Sequence, residues 1–129
     1  MAGAEPLSAP AVGIDLIEIE RVAAALVRHG GRFAERCFSA AERAYCDSRP
    51  NAAQHYAGRF AAKEAIGKAL GTGVPFTWRE IEILGPGKPR VVLSGSTLER
   101  ALRIGAGEIE LSITHSRTLA AAVAAVTRR

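Results

Sequence analysis

The chain has 129 residues, 48% of them hydrophobic, and a formal charge of +4 at pH 7; this length suits one domain with a proper core, and the basic balance suits an anionic ligand or an acidic protein partner. Four Phe, two Tyr and one Trp are too few and too scattered for a base-stacking surface, which argues against nucleic acid. No stretch approaches the roughly 20 apolar residues that span a membrane, the opening residues lack the basic start and apolar run of a secretory signal, and Cys37 and Cys46 form no CxxC pair and no metal pattern with the three histidines, so both read as free thiols of a cytoplasmic protein.

Residues 1–10, with two prolines and small side chains, read as a flexible leader before a domain over 11–129. Val12 to Ile17 is β-rich and predicts a first strand. A helix follows from about Glu18 to His29, opened by Glu18 and Glu20 and closed by Gly30-Gly31. Its buried stripe is Ile19, Val22, Leu26 and His29, and Arg21 and Arg28 share another face. Ser39-Ala40-Ala41-Glu42 is a capping box that opens a short helix to about Cys46. After Pro50 a long helix runs from Asn51 to Leu70. Thr77 to Leu84 alternates and predicts a strand, Gly85-Pro86-Gly87-Lys88-Pro89 a turn, and Arg90 to Leu93 another strand. Ser94 to Arg103 reads as a helix and Gly105 to Gly107 as a loop. The chain ends in a hairpin. Ile109, Leu111, Ile113 and His115 lie on one face, Ser116-Arg117-Thr118 turns, and Leu119 to Val126 returns, although its alanine runs suit a helix equally by propensity. Interspersed helices and short, mainly antiparallel strands make an α+β domain with a long central helix packed on the sheet.

The long helix carries the chemistry. Wound at about 100° per residue, it puts Tyr56, Phe60, Gly67 and Leu70 on one side, with Lys63 among them and Glu64 at the edge. Lys68 lies one turn beyond Glu64 on the same stripe. The opposite side is Ala57, Ala61, Ala62, Ala65 and Ala69, a wall that predicts close packing there too. Charges on such a helix sit where charge is costly. An i,i+4 pair worth about 0.2–0.5 kcal/mol would account for Glu64 and Lys68, but not for Lys63. Asp15 interrupts the apolar first strand. It is either a solvated edge residue or a second carboxylate that joins Glu64 around a divalent cation, and Mg²⁺ commonly takes one or two carboxylates plus phosphate oxygens. His115, with Ser116 and Arg117 beside it, is either a core histidine or a phosphate contact. Arg21 and Arg28, with Arg32 and Arg36 near, are either a solvated face or a dock for an acidic partner.

Together these segments resemble the bacterial holo-acyl-carrier-protein synthases, the small 4′-phosphopantetheinyl transferases. The matching pieces are Gly13-Ile14-Asp15-Leu16 with Ile19 and Arg21; Phe38-Ser39 with Glu42; and Arg59-Phe60-Ala61-Ala62-Lys63-Glu64-Ala65 with Lys68 and Gly71-Thr72-Gly73. Gly87-Lys88-Pro89 with Val91 and Leu93, and Ser112-Ile113-Thr114-His115-Ser116 with Ala120 and Ala122, complete the set. They follow the family's order over nearly the whole chain after the leader.

The resemblance implies transfer of the phosphopantetheine arm of coenzyme A to a serine of apo acyl carrier protein, leaving adenosine 3′,5′-bisphosphate. It implies that Asp15 and Glu64 hold Mg²⁺ at the coenzyme A pyrophosphate and that Glu64, directly or through a water, takes the serine proton. Lys68 would stabilise or protonate the leaving phosphate. Lys63 and His115 would contact the nucleotide phosphates, and Gly71, Thr72 and Gly73 would let backbone approach the ligand. Arg21 and Arg28 would face the acidic recognition helix of the carrier. It further implies a compact homotrimer with active sites between neighbours; the carriers accepted are either those of fatty-acid synthesis only or polyketide carriers as well. A different Mg²⁺-dependent phosphoryl or nucleotidyl transferase would use the same Asp15, Glu64 and Lys68. A basic non-catalytic binding module is the remaining alternative.

Overall fold

The structure, a computed structural model, describes Leu7, residues 9–72 and residues 77–129. The side chain of His29 lies outside the description. Strand β1 (Ala11–Glu18) runs into helix α1 (Ile19–Val27), a 3₁₀ turn (Arg28–Gly31), α2 (Arg32–Cys37) and α3 (Ala40–Asp47). The long helix α4 (Ala52–Leu70) is followed by a second 3₁₀ turn (Trp78–Glu80), β2 (Ile81–Leu84) and β3 (Arg90–Leu93). Helix α5 (Gly95–Arg103), β4 (Ala106–His115) and β5 (Leu119–Arg128) complete the order. The main sheet is antiparallel in the order β1-β5-β4, and β2-β3 is a separate antiparallel hairpin.

Alternation sorts the main sheet into two faces. Gly13, Ala120, Ala122, Ala124 and Val126 are buried under α4, whose Ala61, Ala62, Ala65 and Ala69 are themselves buried. Small side chains on both partners let helix and sheet approach closely. At Gly13 the approach is limiting: a Cβ there would overlap the Ala65 carbonyl oxygen and lie 2.8 Å from the Ala69 amide nitrogen. Gly13→Ala is therefore expected to lose about 1–3 kcal/mol or more by overpacking against immovable backbone, measured as a lower midpoint of thermal unfolding. The other face is open. Val12, Ile14 and Leu16 are 65%, 65% and 63% exposed in a row, with Val123 exposed beside them.

A second core lies beneath α1, α2 and α3, built from Val22, Phe38, Tyr56 and the two cysteines, with Phe33, Phe60 and Trp78 half-buried around it. Burial pushes the Cys46 thiol up to about 12, so it behaves as an inert apolar side chain. The capping box is present. The Ser39 hydroxyl accepts the Glu42 amide at 3.2 Å, and Glu42 Oε1 accepts the Ser39 amide at 2.9 Å.

The alanine-rich return segment is the second strand of the expected hairpin, because β5 is paired on both sides and its buried alanines sit under α4; tertiary pairing overrides helix propensity. Three other features differ from those expected. Residues Trp78–Glu80 form a 3₁₀ turn, and only Ile81–Leu84 is strand. Helix α1 stops at Val27, ahead of Gly30 and Gly31 at φ 61° and 86°, so Arg28 leaves the face that Arg21 occupies. Leu7 is not free leader: its amide donates to the Ile104 carbonyl at 2.7 Å and its side chain packs on the core.

Candidate active site

The contact of α4 with β1 at Gly13 sets the neighbouring residues. Asp15, two positions along β1, points to the α4 side in one row with Ala122 and Ile113. There it meets Glu64 and Lys68. The Lys68 ammonium donates to Asp15 Oδ1 at 3.2 Å and to the Ile14 carbonyl, at the unpaired edge of β1, at 2.9 Å. Asp15 Oδ2 is buried with no donor. Glu64 lies within hydrogen-bonding reach of Asp15, but two ionised carboxylates cannot bond each other. Burial, then the Asp15 carboxylate, lift the Glu64 carboxyl to about 7, opposed by Lys68 and Arg21. A proton or a cation completes such a pair. An orphaned carboxylate oxygen beside a second carboxyl is the donor chemistry that a hard divalent ion takes, so the residues present fit Mg²⁺.

Glu64 opens on a cleft of about 330 Å³ lined by Leu16, Ile17, Arg21, Val22, Phe33 and Phe60 among others. Arg21 is exposed at its mouth, and Arg28 is exposed beyond the end of α1. Gly71 caps α4 at φ 71°, three residues past Lys68; the Thr72 hydroxyl donates to the Gly67 carbonyl at 3.1 Å. Gly73 lies outside the described residues.

Lys63 does not join them, contrary to its expected phosphate contact. Its side chain is wholly buried. The ammonium donates to Glu42 Oε1 at 2.9 Å, to the Trp78 carbonyl at 3.1 Å and to the Ile81 carbonyl. With all three protons engaged inside the protein, none is left for a ligand. Helical winding located Lys63 correctly on the apolar side. Its partner Glu42 is 21 residues away and was legible only as a capping residue.

His115 also stands apart from the carboxylates. It is exposed at the end of β4, at the far edge of the sheet from β1, with Nε2 3.0 Å from Gln54 Nε2. A second cleft, of about 610 Å³, opens at that edge between α4, β4 and the Gly87-Lys88-Pro89 turn. Arg59 lines it, is 8% exposed, and holds its guanidinium carbon 4.3 Å from the centre of the Tyr45 ring, with Nε unpartnered. His55 is held below its ordinary value by burial and then by the positive charges of Arg49, Arg59 and His115. Lys88 is exposed and paired with Glu110 at 2.7 Å. The Arg49 and Arg59 guanidiniums there concentrate positive charge suited to an anion. Sequence reading left Arg59 and His55 without a role; their i,i+4 spacing on an alanine-walled helix was the available signal.

Two carboxylates and a lysine at one sheet edge, with an arginine–histidine cluster at the other, are tools for handling phosphate esters. A sequence profile of the 4′-phosphopantetheinyl transferase superfamily matches residues 11–124. The chain belongs to this superfamily. It is 43% identical over 116 residues to a holo-[acyl-carrier-protein] synthase of Chlamydia trachomatis serovar D, covering 88% of this chain and 95% of that one. Its structure resembles the ACPS–CoA complex of Chronobacterium ammoniagenes, with a TM-score of 0.79, 34% identity, and 95% and 99% of the two chains covered. It also resembles the holo-[acyl-carrier-protein] synthase of Helicobacter pylori in complex with coenzyme A, with a TM-score of 0.78, 31% identity, and 90% and 99% covered. The α+β architecture is shared with both of these structures. Among the described residues, no helix is long and apolar enough to cross a membrane.

Proposed function

We propose that this chain transfers 4′-phosphopantetheine from coenzyme A to a serine of apo acyl carrier protein in a Mg²⁺-dependent reaction. The observation that carries the reading is the meeting of Asp15, Glu64 and Lys68 beside one cleft. Asp15 and Glu64 would hold the metal. When bound, it supplies positive charge to the pyrophosphate oxygens as the P–O bond breaks. The serine oxygen forms a bond to the β-phosphorus, and the bond to the bridging oxygen breaks. The serine proton passes to Glu64, directly or through a water. The electron pair leaves with adenosine 3′,5′-bisphosphate, whose departing phosphate Lys68 stabilises. Gly71, Thr72 and Gly73 would admit the ligand close to backbone.

The nucleotide end of coenzyme A carries a 3′-phosphate, which the Arg59, His55 and His115 cluster suits. That cluster and the carboxylates lie at opposite edges of one sheet. One coenzyme A would reach both if β1 of one subunit lay beside β4 of the next. Such a heterologous contact forms a ring where its rotation closes, and the exposed Val12, Ile14, Leu16 and Val123 supply an apolar face for it. We therefore favour a homotrimer with shared sites. The buried free thiols suit a reducing cytoplasm.

Purified protein given coenzyme A, Mg²⁺ and a cognate apo carrier of fatty-acid synthesis is expected to add one phosphopantetheine, seen as a single fixed increment in intact mass. Its absence with folded protein sinks the proposal. Arg21 stands at the mouth of the Glu64 cleft, and Arg28 farther along would extend the contact to an acidic helix. Arg21→Glu is expected to raise the carrier KM about tenfold or more, with the coenzyme A KM changed far less. Equal rises in steady-state kinetics would remove the docking role.

A further inference from the structure

Both side chains of the Glu42–Lys63 pair are wholly buried, yet Lys63 sits one residue from Glu64. Glu42 Oε1 takes the Lys63 ammonium and the Ser39 amide, each at 2.9 Å, and Oε2 takes the Ile83 amide at 2.8 Å. Lys63 in turn binds the carbonyls of Trp78 and Ile81. One pair thus ties together the start of α3, the middle of α4, the 3₁₀ turn and β2. It holds Trp78 in place, and the Trp78 ring stacks on Phe60 with centroids 4.5 Å apart and planes 19° apart. Phe60 is one helical turn before Glu64 and lines the same cleft.

We infer that the Glu42–Lys63 pair is a positioning device for catalysis: it fixes the rotation of α4 and the Phe60–Trp78 wall so that Glu64 faces Asp15. A buried ion pair is weak ground for stability, since apolar residues of similar volume often serve as well. Its directed hydrogen bonds set register instead. Residues 63 and 64 are separated by about 100° of helix turn, so an α4 that rolls to relax its buried side turns Glu64 from Asp15. Displacement of about 1 Å at a reacting group can cost about 100-fold in rate. The inference rests on the role of Glu64 proposed above.

Trp78 is the single tryptophan of the chain, so its emission reports the clamp directly. Lys63→Met keeps the stem and removes the three donors. It is expected to lower kcat by about 10- to 100-fold, to change the coenzyme A KM less than about twofold, and to shift Trp78 emission to the red. Lys63→Gln, which retains an N–H donor for the two carbonyls, recovers part of both signals. Glu42→Gln loosens the same tie from its other end and answers the question if Lys63→Met does not fold. Rates are taken per folded protein, judged by circular dichroism. Folded variants with unchanged kcat overturn the inference. So does a fall in kcat matched by coenzyme A KM, with Trp78 emission unmoved, since that marks general loosening. Glu64→Gln run alongside separates the two claims: if it stays active, the reading of the site fails; if it is inactive while the clamp variants keep full kcat, only the positioning role fails.

Discussion

Glu64→Gln should cut turnover by about 10³-fold or more while the protein folds normally, because it removes a base and a metal ligand together. Gln has nearly the same size, and Glu64 is only half-buried, so packing is kept. Stability should rise rather than fall in metal-free buffer above neutral pH. The reason is the sign of the shift. The folded carboxyl titrates at about 7 against an ordinary 4.5, so the folded state holds this proton more tightly than the unfolded chain. The stabilisation it contributes is complete below the unfolded value and is lost as pH rises through 7. Without metal, the thermal midpoint of the native sequence should therefore decline between about pH 5 and pH 8, and Mg²⁺, which takes the ionised form, should restore it at pH 8. Glu64→Gln should flatten the decline and abolish the Mg²⁺ response. A normal rate in Glu64→Gln, measured by carrier mass shift over time, would remove Glu64 from the reaction.

Mixing two crippled chains should produce an active enzyme. Glu64→Gln lacks the half-site at the β1 edge. Arg59→Gln with His115→Ala lacks the half-site at the β4 edge, where losing charge-assisted contacts to a phosphate should cost about 10- to 100-fold or more at limiting coenzyme A. If each active site draws one half from each of two neighbours, random 1:1 co-assembly leaves about a quarter of the interfaces with both halves intact. Activity should then recover to about that fraction of the native value, far above either parent. If every group comes from a single chain, the mixture gives only the average of its parents. The outcome separates the two arrangements without requiring a structure of the assembly, and gel filtration of the mixture reports its size.

Local signals carried much of the architecture. The Ser39–Glu42 box, the glycines after α1 and the alanine-walled α4 were readable because each depends on residues within a few positions of one another. Asp15 and Glu64 were singled out for the same kind of reason: each puts a carboxylate where its own segment is otherwise apolar. Local pattern failed where partners are remote. The alanines of β5 are ambiguous until β1 and β4 flank them. Lys63 looked like a ligand contact because an unpaired ammonium on an apolar face is costly, and nothing near it in the chain shows that Glu42 is waiting there.

The order of elements, the acidic and basic residues available for catalysis, and the basic balance that suits an acidic partner are properties of the chain itself. Which charges meet was decided by the packing of α4 on β1. Glycine at position 13 lets the helix settle on bare backbone, and that contact carries Glu64 and Lys68 to Asp15 while turning Lys63 inward to Glu42. Side chains 49 residues apart become neighbours only when two surfaces without bulk close against each other, and no periodicity within either segment encodes that distance.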